Sequence, residues 1–174
     1  GMPIKGCISD DQIEVLRQNY IIVEEGLIID VCDANRMHKE FPDIFVEEMT
    51  TPMTLLPGFI DAHTHICFAG SRAQDYAYRL NGMSYLEIAQ QGGGIWNTVM
   101  ATRNTSKEDL IAITLKRAEQ MLSKGITTIE VKSCYGLSMK DELGMLEVIA
   151  EVNNASHADI VPTCLAAHIK PKDF

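Results

Sequence analysis

Residues 106–135 read SKEDLIAITLKRAEQMLSKGITTIEVKSCY, and this run decides the fold. Ser106, with Asp109 three residues on, opens a helix in the manner of an N-cap, whose side-chain oxygen takes an otherwise unpaired first-turn N–H. Leu110, Ile111, Leu115, Ala118, Met121 and Leu122 follow at helical spacing and give the helix one apolar face. Gly125 ends it, because the left-handed residue that closes a helix is cheapest as glycine. Residues 126–131 are mostly β-branched or apolar and read as a strand. That strand runs directly into Lys132, Ser133, Cys134 and Tyr135, a cluster of polar and reactive side chains.

The same grammar repeats on both sides. Upstream, PGFIDAHTH at 57–65 is a short apolar strand leading to His63 and His65. Ser84 and Glu87 form a capping-box pattern that opens a short helix, which stops at Gly92-Gly93-Gly94. Downstream, Ser138 and Asp141 open another helix, with Leu143, Leu146, Ile149 and Val152 along one side. Residues 159–165 are a third strand, reaching towards His168. The order from Phe59 onward is βαβαβ, which predicts parallel strands covered by helices through right-handed crossovers. Each strand ends in polar chemistry, and the carboxyl ends of the strands are where a (β/α) barrel carries its active site. A closed eight-stranded barrel takes at least ~200 residues, against the 117 of residues 58–174. The expectation is therefore an α/β chain holding the first three βα units of a partial (β/α)8 barrel at 58–174, the front portion of a larger enzyme.

Residues 1–57 have a different texture. Alternation around Glu14-Val15-Leu16, a hairpin pairing 20–23 with 27–31 across Glu24-Glu25-Gly26, and an apolar stretch at 53–56 all suggest short strands. Residues 33–51 are mixed and polar, contain Pro42, and read as loop. This opening segment is expected to be the amino-terminal part of a composite β-sandwich, too short to close one by itself.

Composition narrows the class of function. Hydrophobic residues make up 46% and charged residues 22% of the 174, enough apolar surface for a folded core. Fifteen Lys plus Arg against 24 Asp plus Glu leave a net charge of −9, a poor match for nucleic acid or an anionic membrane surface. No apolar run approaches a membrane span and no secretory signal is legible. The five Cys (7, 32, 67, 134 and 164) show no C-x-x-C spacing and read as small buried hydrophobes in a reducing cytoplasm.

His63 and His65 are two apart on a strand, so they point to one face. Two imidazoles converging at a strand's carboxyl end make half of a metal site suited to zinc or iron. The wider text carries a resemblance. PGFIDAHTH looks like the opening metal motif of the amidohydrolase superfamily. SRAQDYAYRLNGMSYLEIAQQGGGI, ATR, GITTIEVKSCYGLSMKDEL and DIVPTCLAAH resemble the imidazolonepropionase family within it, from about Leu56 to His168. Two positions depart from the family's pattern: Ser71, where an acidic residue is expected, and Cys134, where glycine is expected.

The resemblance implies one divalent metal, zinc or iron, with His63 and His65 as ligands. It also implies substrate binding by Arg72, Tyr135 and His168. A guanidinium offers a carboxylate a two-pronged fork. A phenol or imidazole can hydrogen-bond to the ring. The implied reaction is hydrolysis of a cyclic C–N bond, imidazolone propionate giving N-formimidoyl-L-glutamate in histidine degradation. In the family, the remaining ligands and the general acid/base come from later strands, so no catalytic acid/base is identifiable in this chain and the 174 residues alone are expected to be inactive. Lys132 reads as structural or supporting, His38 and His157 as surface residues, and the glycine triplet as a loop beside the substrate pocket. The expected partners are a small-molecule substrate and further copies of the chain. A cyclic deaminase sharing the His-x-His strand, or a non-catalytic partial barrel serving as an interaction module, are the competing readings.

Overall fold

In the computed structural model, which describes residues 15–170 and Asp173, the first element formed is the hairpin of β1 (Tyr20–Glu24) and β2 (Leu27–Cys32). The strands pair antiparallel from Tyr20↔Cys32 to Glu24↔Leu27, with an irregularity between Ile22 and Val23. Glu25 and Gly26 both have positive φ (48° and 79°), as a two-residue hairpin turn matched to strand twist requires. Residues 33–51, expected as loop, contain α1 (Ala34–Glu40), whose N-cap Asp33 accepts the Arg36 N–H at 2.8 Å. Only Met37 of this seven-residue helix is buried, so the sequence has no apolar repeat to display. Met37 packs with Ile22 and Cys32 into a small core. Residues 53–56 form no strand, and neither do Val15 and Leu16. The strands expected at residues 3–14 lie outside the described residues. These elements belong to the first of two compact units, Gly1–Thr54 and Leu55–Phe174.

The second unit begins with β3 (Phe59–Thr64). Three short helices follow, α2 (Ala73–Leu80), α3 (Tyr85–Gln90) and α4 (Ile95–Arg103). Then come α5 (Lys107–Leu122), β4 (Ile126–Ser133), α6 (Met139–Ala155) and β5 (Asp159–Cys164). The strands make a parallel sheet in the order β3-β4-β5. Ser84, Ser106 and Ser138 each cap their helix through the side chain, and Ser84 with Glu87 completes the reciprocal box. α2 and α4 had no sequence expectation, for a physical reason. α2 sets Ala73, Tyr76, Ala77 and Leu80 at helical spacing but leaves Tyr76 and Leu80 exposed and buries Asp75 instead, while α4 buries Val99 between Thr98 and Thr102.

The core lies between β4, β5 and the inner faces of α5 and α6: Ile129, Val131 and Ile160 meet Leu110, Ala118, Met145, Val148, Ile149 and Val152. Burying each large aliphatic side chain contributes about 1.5–3 kcal/mol. The buried face of α6 corrects the expectation at Leu143, which is 56% exposed; Met145 and Val148 hold the inner positions. No helix among the described residues is long and apolar enough to cross a membrane. Because the strands are parallel, their carboxyl ends gather at one edge of the sheet. His63 and His65, Ser133 to Tyr135, and the segment after Cys164 all lie there.

Candidate functional site

The end of β3 is shaped by side chains of β4. The Thr64 N–H donates to Glu130 Oε2 at 3.1 Å and the Thr64 hydroxyl to the Glu130 carbonyl at 2.5 Å. The strand register shifts between Asp61 and Thr64. Lys132, buried, pairs with the same Glu130 carboxylate at 2.5 Å. Burial pushes the Glu130 carboxyl up, but hydrogen bonds from Lys132, Thr163 and the Thr64 N–H outweigh it and hold the group below its usual range. Lys132 thus braces the Glu130 carboxylate that holds the end of β3.

On this base the two imidazoles converge, with His63 Nε2 and His65 Nε2 3.3 Å apart. Two nitrogens each ~2.0–2.1 Å from one tetrahedral ion would lie ~3.3–3.4 Å apart, so the pair fits a shared divalent cation. Burial, then the neighbouring His63 and Lys132, push the His65 pKa down, which favours the neutral imidazole that ligates metal. Its Nδ1 lies 2.9 Å from Cys134 Sγ. Burial pushes that thiol up to about 12, so Cys134 stays neutral and its sulfur can accept the Nδ1–H. The residue that departs from the family pattern therefore steadies a candidate ligand. Among the described residues no group of three or more His, Cys, Asp or Glu could hold a metal ion.

Next to the imidazoles, the Tyr135 ring centroid is 6.2 Å from that of His65 and 5.9 Å from that of Phe68, the latter edge-on. Burial, then Cys134, raise the phenol's pKa, leaving Tyr135 a donor. Tyr135 and Arg72 line one pocket of about 250 Å³ together with Phe68, Thr98 and Arg117. Arg117 Nη1 donates to the carbonyls of Ile66 (2.7 Å) and Phe68 (2.5 Å), with its guanidinium 3.7 Å above the Phe68 ring. It holds the segment after His65 in place across a sequence distance that no local motif signals.

Arg72 is held at Nε by Asp75, 3.1 Å away. The three-residue spacing on the first turn of α2 was a readable signal for this pair. His168 is exposed, with Nδ1 2.9 Å from the Leu165 carbonyl. Among the described residues it makes no hydrogen bond to the other candidate site residues. The glycine triplet does not line the pocket; it reaches the site through Asp75, which accepts the Gly94 N–H. His38 and His157 are exposed, as expected, whereas Cys164 is exposed rather than buried. Cys32, Cys67 and Cys134 are buried free thiols, and Cys7 lies outside the described residues.

The Amidohydrolase family profile matches residues 54–149, more than half of the chain, and the chain belongs to that family, whose members are generally metal-dependent. Within it, the chain is similar to the amino-terminal portion of imidazolonepropionases. That of Caldanaerobacter subterraneus subsp. tengcongensis is 41% identical over 169 residues, covering 97% of this chain and 40% of that protein. That of Idiomarina loihiensis is 52% identical over 120 residues, 69% of this chain and 29% of that protein. That of Fusobacterium nucleatum is 40% identical over 166 residues, 94% and 40% respectively. The chain spans about two fifths of the length of such relatives.

Proposed function

We propose that the chain supplies part of the active site of a metal-dependent hydrolase that opens the ring of imidazolone propionate to N-formimidoyl-L-glutamate. The observation that carries this reading is the 3.3 Å approach of the His63 and His65 Nε2 atoms beside the pocket of Arg72 and Tyr135. In this reading residues 58–174 are the first three βα units of a (β/α)8 barrel, and 1–57 contribute to a composite β-sandwich.

His63 and His65 would hold one zinc or iron ion, which when bound supplies Lewis acidity and a water-derived nucleophile near neutral pH. Arg72 takes the propionate carboxylate through its terminal amino groups, since Nε is committed to Asp75. That salt bridge fixes the ring's distance from the imidazoles. Tyr135, kept protonated, donates a hydrogen bond to the bound substrate. His168 gives its Nδ1–H to the Leu165 carbonyl and keeps Nε2 as an acceptor for the ring. Lys132 and Glu130 keep β3 in the shape that aims both imidazoles at one point.

The test is a substrate comparison on zinc-loaded full-length protein. Ring opening of imidazolone propionate, followed by loss of its ultraviolet absorbance, is expected. Release of ammonia from amino-heterocycles with no such ring opening would replace this reading by a deaminase.

A further inference from the structure

We propose that Asp75 is a positioning residue that locks Arg72 end-on to the pocket and ties that lock to the glycine turn at 92–94. The inference rests on the reading of Arg72 as the carboxylate binder. Asp75 is 7% exposed, an unusual place for a carboxylate unless it is paired. One oxygen, Oδ2, accepts from both Arg72 Nε at 3.1 Å and the Gly94 N–H at 2.9 Å. A carboxylate can approach a guanidinium side-on, through Nε and one Nη, or end-on, through both Nη groups. With Nε taken by Asp75, only the end-on approach remains, and among the described residues nothing hydrogen-bonds to either Nη.

The glycine turn is fitted to the same carboxylate. A Cβ on Gly93 would fall 2.5 Å from Asp75 Oδ1 and 2.7 Å from Ile88 Cγ2, so residue 93 has no room for a side chain. Gly94, at φ 78°, is the N-cap of α4, and α4 carries Thr98 to the wall of the Arg72 pocket. Asp75 therefore joins the first turn of α2, the glycine turn and the start of α4 around one buried charge. It gives the triplet a task that needs no contact with the substrate.

The experiment measures binding to zinc-loaded full-length protein by calorimetry, with two probes. 3-(Imidazol-4-yl)propionate carries the carboxylate and 4-propylimidazole lacks it. Asp75→Asn should weaken the first probe roughly tenfold, the size of a lost charge-assisted contact, and the second by less than twofold. In an Arg72→Met background, Asp75→Asn should add nothing further. If Asp75→Asn binds the propionate like the parent, or still weakens it when Arg72 is Met, the proposal is overturned while the reading of Arg72 stands. If Arg72→Met itself leaves propionate binding unchanged, that reading falls and this inference with it. Should Asp75→Asn fail to fold by thermal melting, Gly93→Ala decides. It keeps the charge but displaces the carboxylate, and selective loss of the propionate probe supports the proposal, whereas equal behaviour of both probes overturns it.

Discussion

At Arg72 the guanidinium is committed on one side and open on the other, and this asymmetry makes it the residue whose loss should be most specific. Arg72→Met in the full-length enzyme is expected to raise KM for imidazolone propionate by about 10–100-fold, with a smaller change in kcat, because it removes a contact made in ground and transition states alike. Steady-state kinetics check this, and an unchanged KM removes Arg72 from the site. His63 and His65 should behave differently. Each is half of a converging pair, so His63→Ala or His65→Ala is expected to empty the site of zinc or iron and abolish turnover together. Elemental analysis that found full occupancy in both variants would sink the assignment. The His-x-His spacing was legible in the sequence because strand geometry alone puts both rings on one face. Cys134 as the partner of His65 and Arg117 as the clamp on residues 66–68 were not, since each depends on a contact between distant elements.

Among the elements, α6 offers the sharpest contrast between pattern and packing. Ile149 is fully buried, whereas Leu143, which shares its apolar character, is 56% exposed. Ile149→Ala should cost about 2–5 kcal/mol by leaving a cavity, while Leu143→Ala should stay within about 0.5 kcal/mol. Denaturant melts of the two variants distinguish a face centred on Met145, Val148 and Val152 from one that includes Leu143. The capped helices were readable because Ser and Asp or Glu at three-residue spacing have one mechanical meaning. α2 and α4 were not: α2 buries a carboxylate while its apolar positions Tyr76 and Leu80 stay exposed, α4 buries Val99 among threonines, and α1 is too short to show a period. The box at α3 also predicts a pH dependence. Hydrogen bonds from the Ser84 hydroxyl and N–H hold the Glu87 carboxyl below its usual range. A depressed carboxyl stabilises the fold above its unfolded pKa, and that stability is lost as pH falls through the folded value. The destabilisation by Ser84→Ala should therefore be present at neutral pH and shrink below about pH 4, which thermal melts at pH 7 and pH 3 would show.

For the molecule as a whole, the arrangement of strands decides behaviour in solution. β3 and β5 are the outer strands of a parallel sheet, and parallel sheets are normally covered and closed on both sides. Phe59 and Ile60 on β3 are 55% and 70% exposed. The hairpin carries its own exposed row in Val23, Leu27, Ile28 and Ile29. Unpaired strand edges flanked by apolar side chains recruit other chains unless charge, proline or a covering element blunts them. β5 has Pro162 within it, which removes one donor, whereas β3 carries Asp61 but no proline. The 174 residues expressed alone should therefore associate, growing in apparent mass with concentration, with the charge of −9 slowing but not preventing contact. They should show no ring opening even when zinc is supplied, since among the described residues two imidazoles, His63 and His65, converge and a catalytic zinc ordinarily takes three protein ligands. Light scattering across a concentration series and the ultraviolet assay on the same sample test both halves. A monomer of 19.3 kDa that persists at high concentration would show that the β3 edge is closed by this chain itself, and turnover by that monomer would place the missing ligands within these residues.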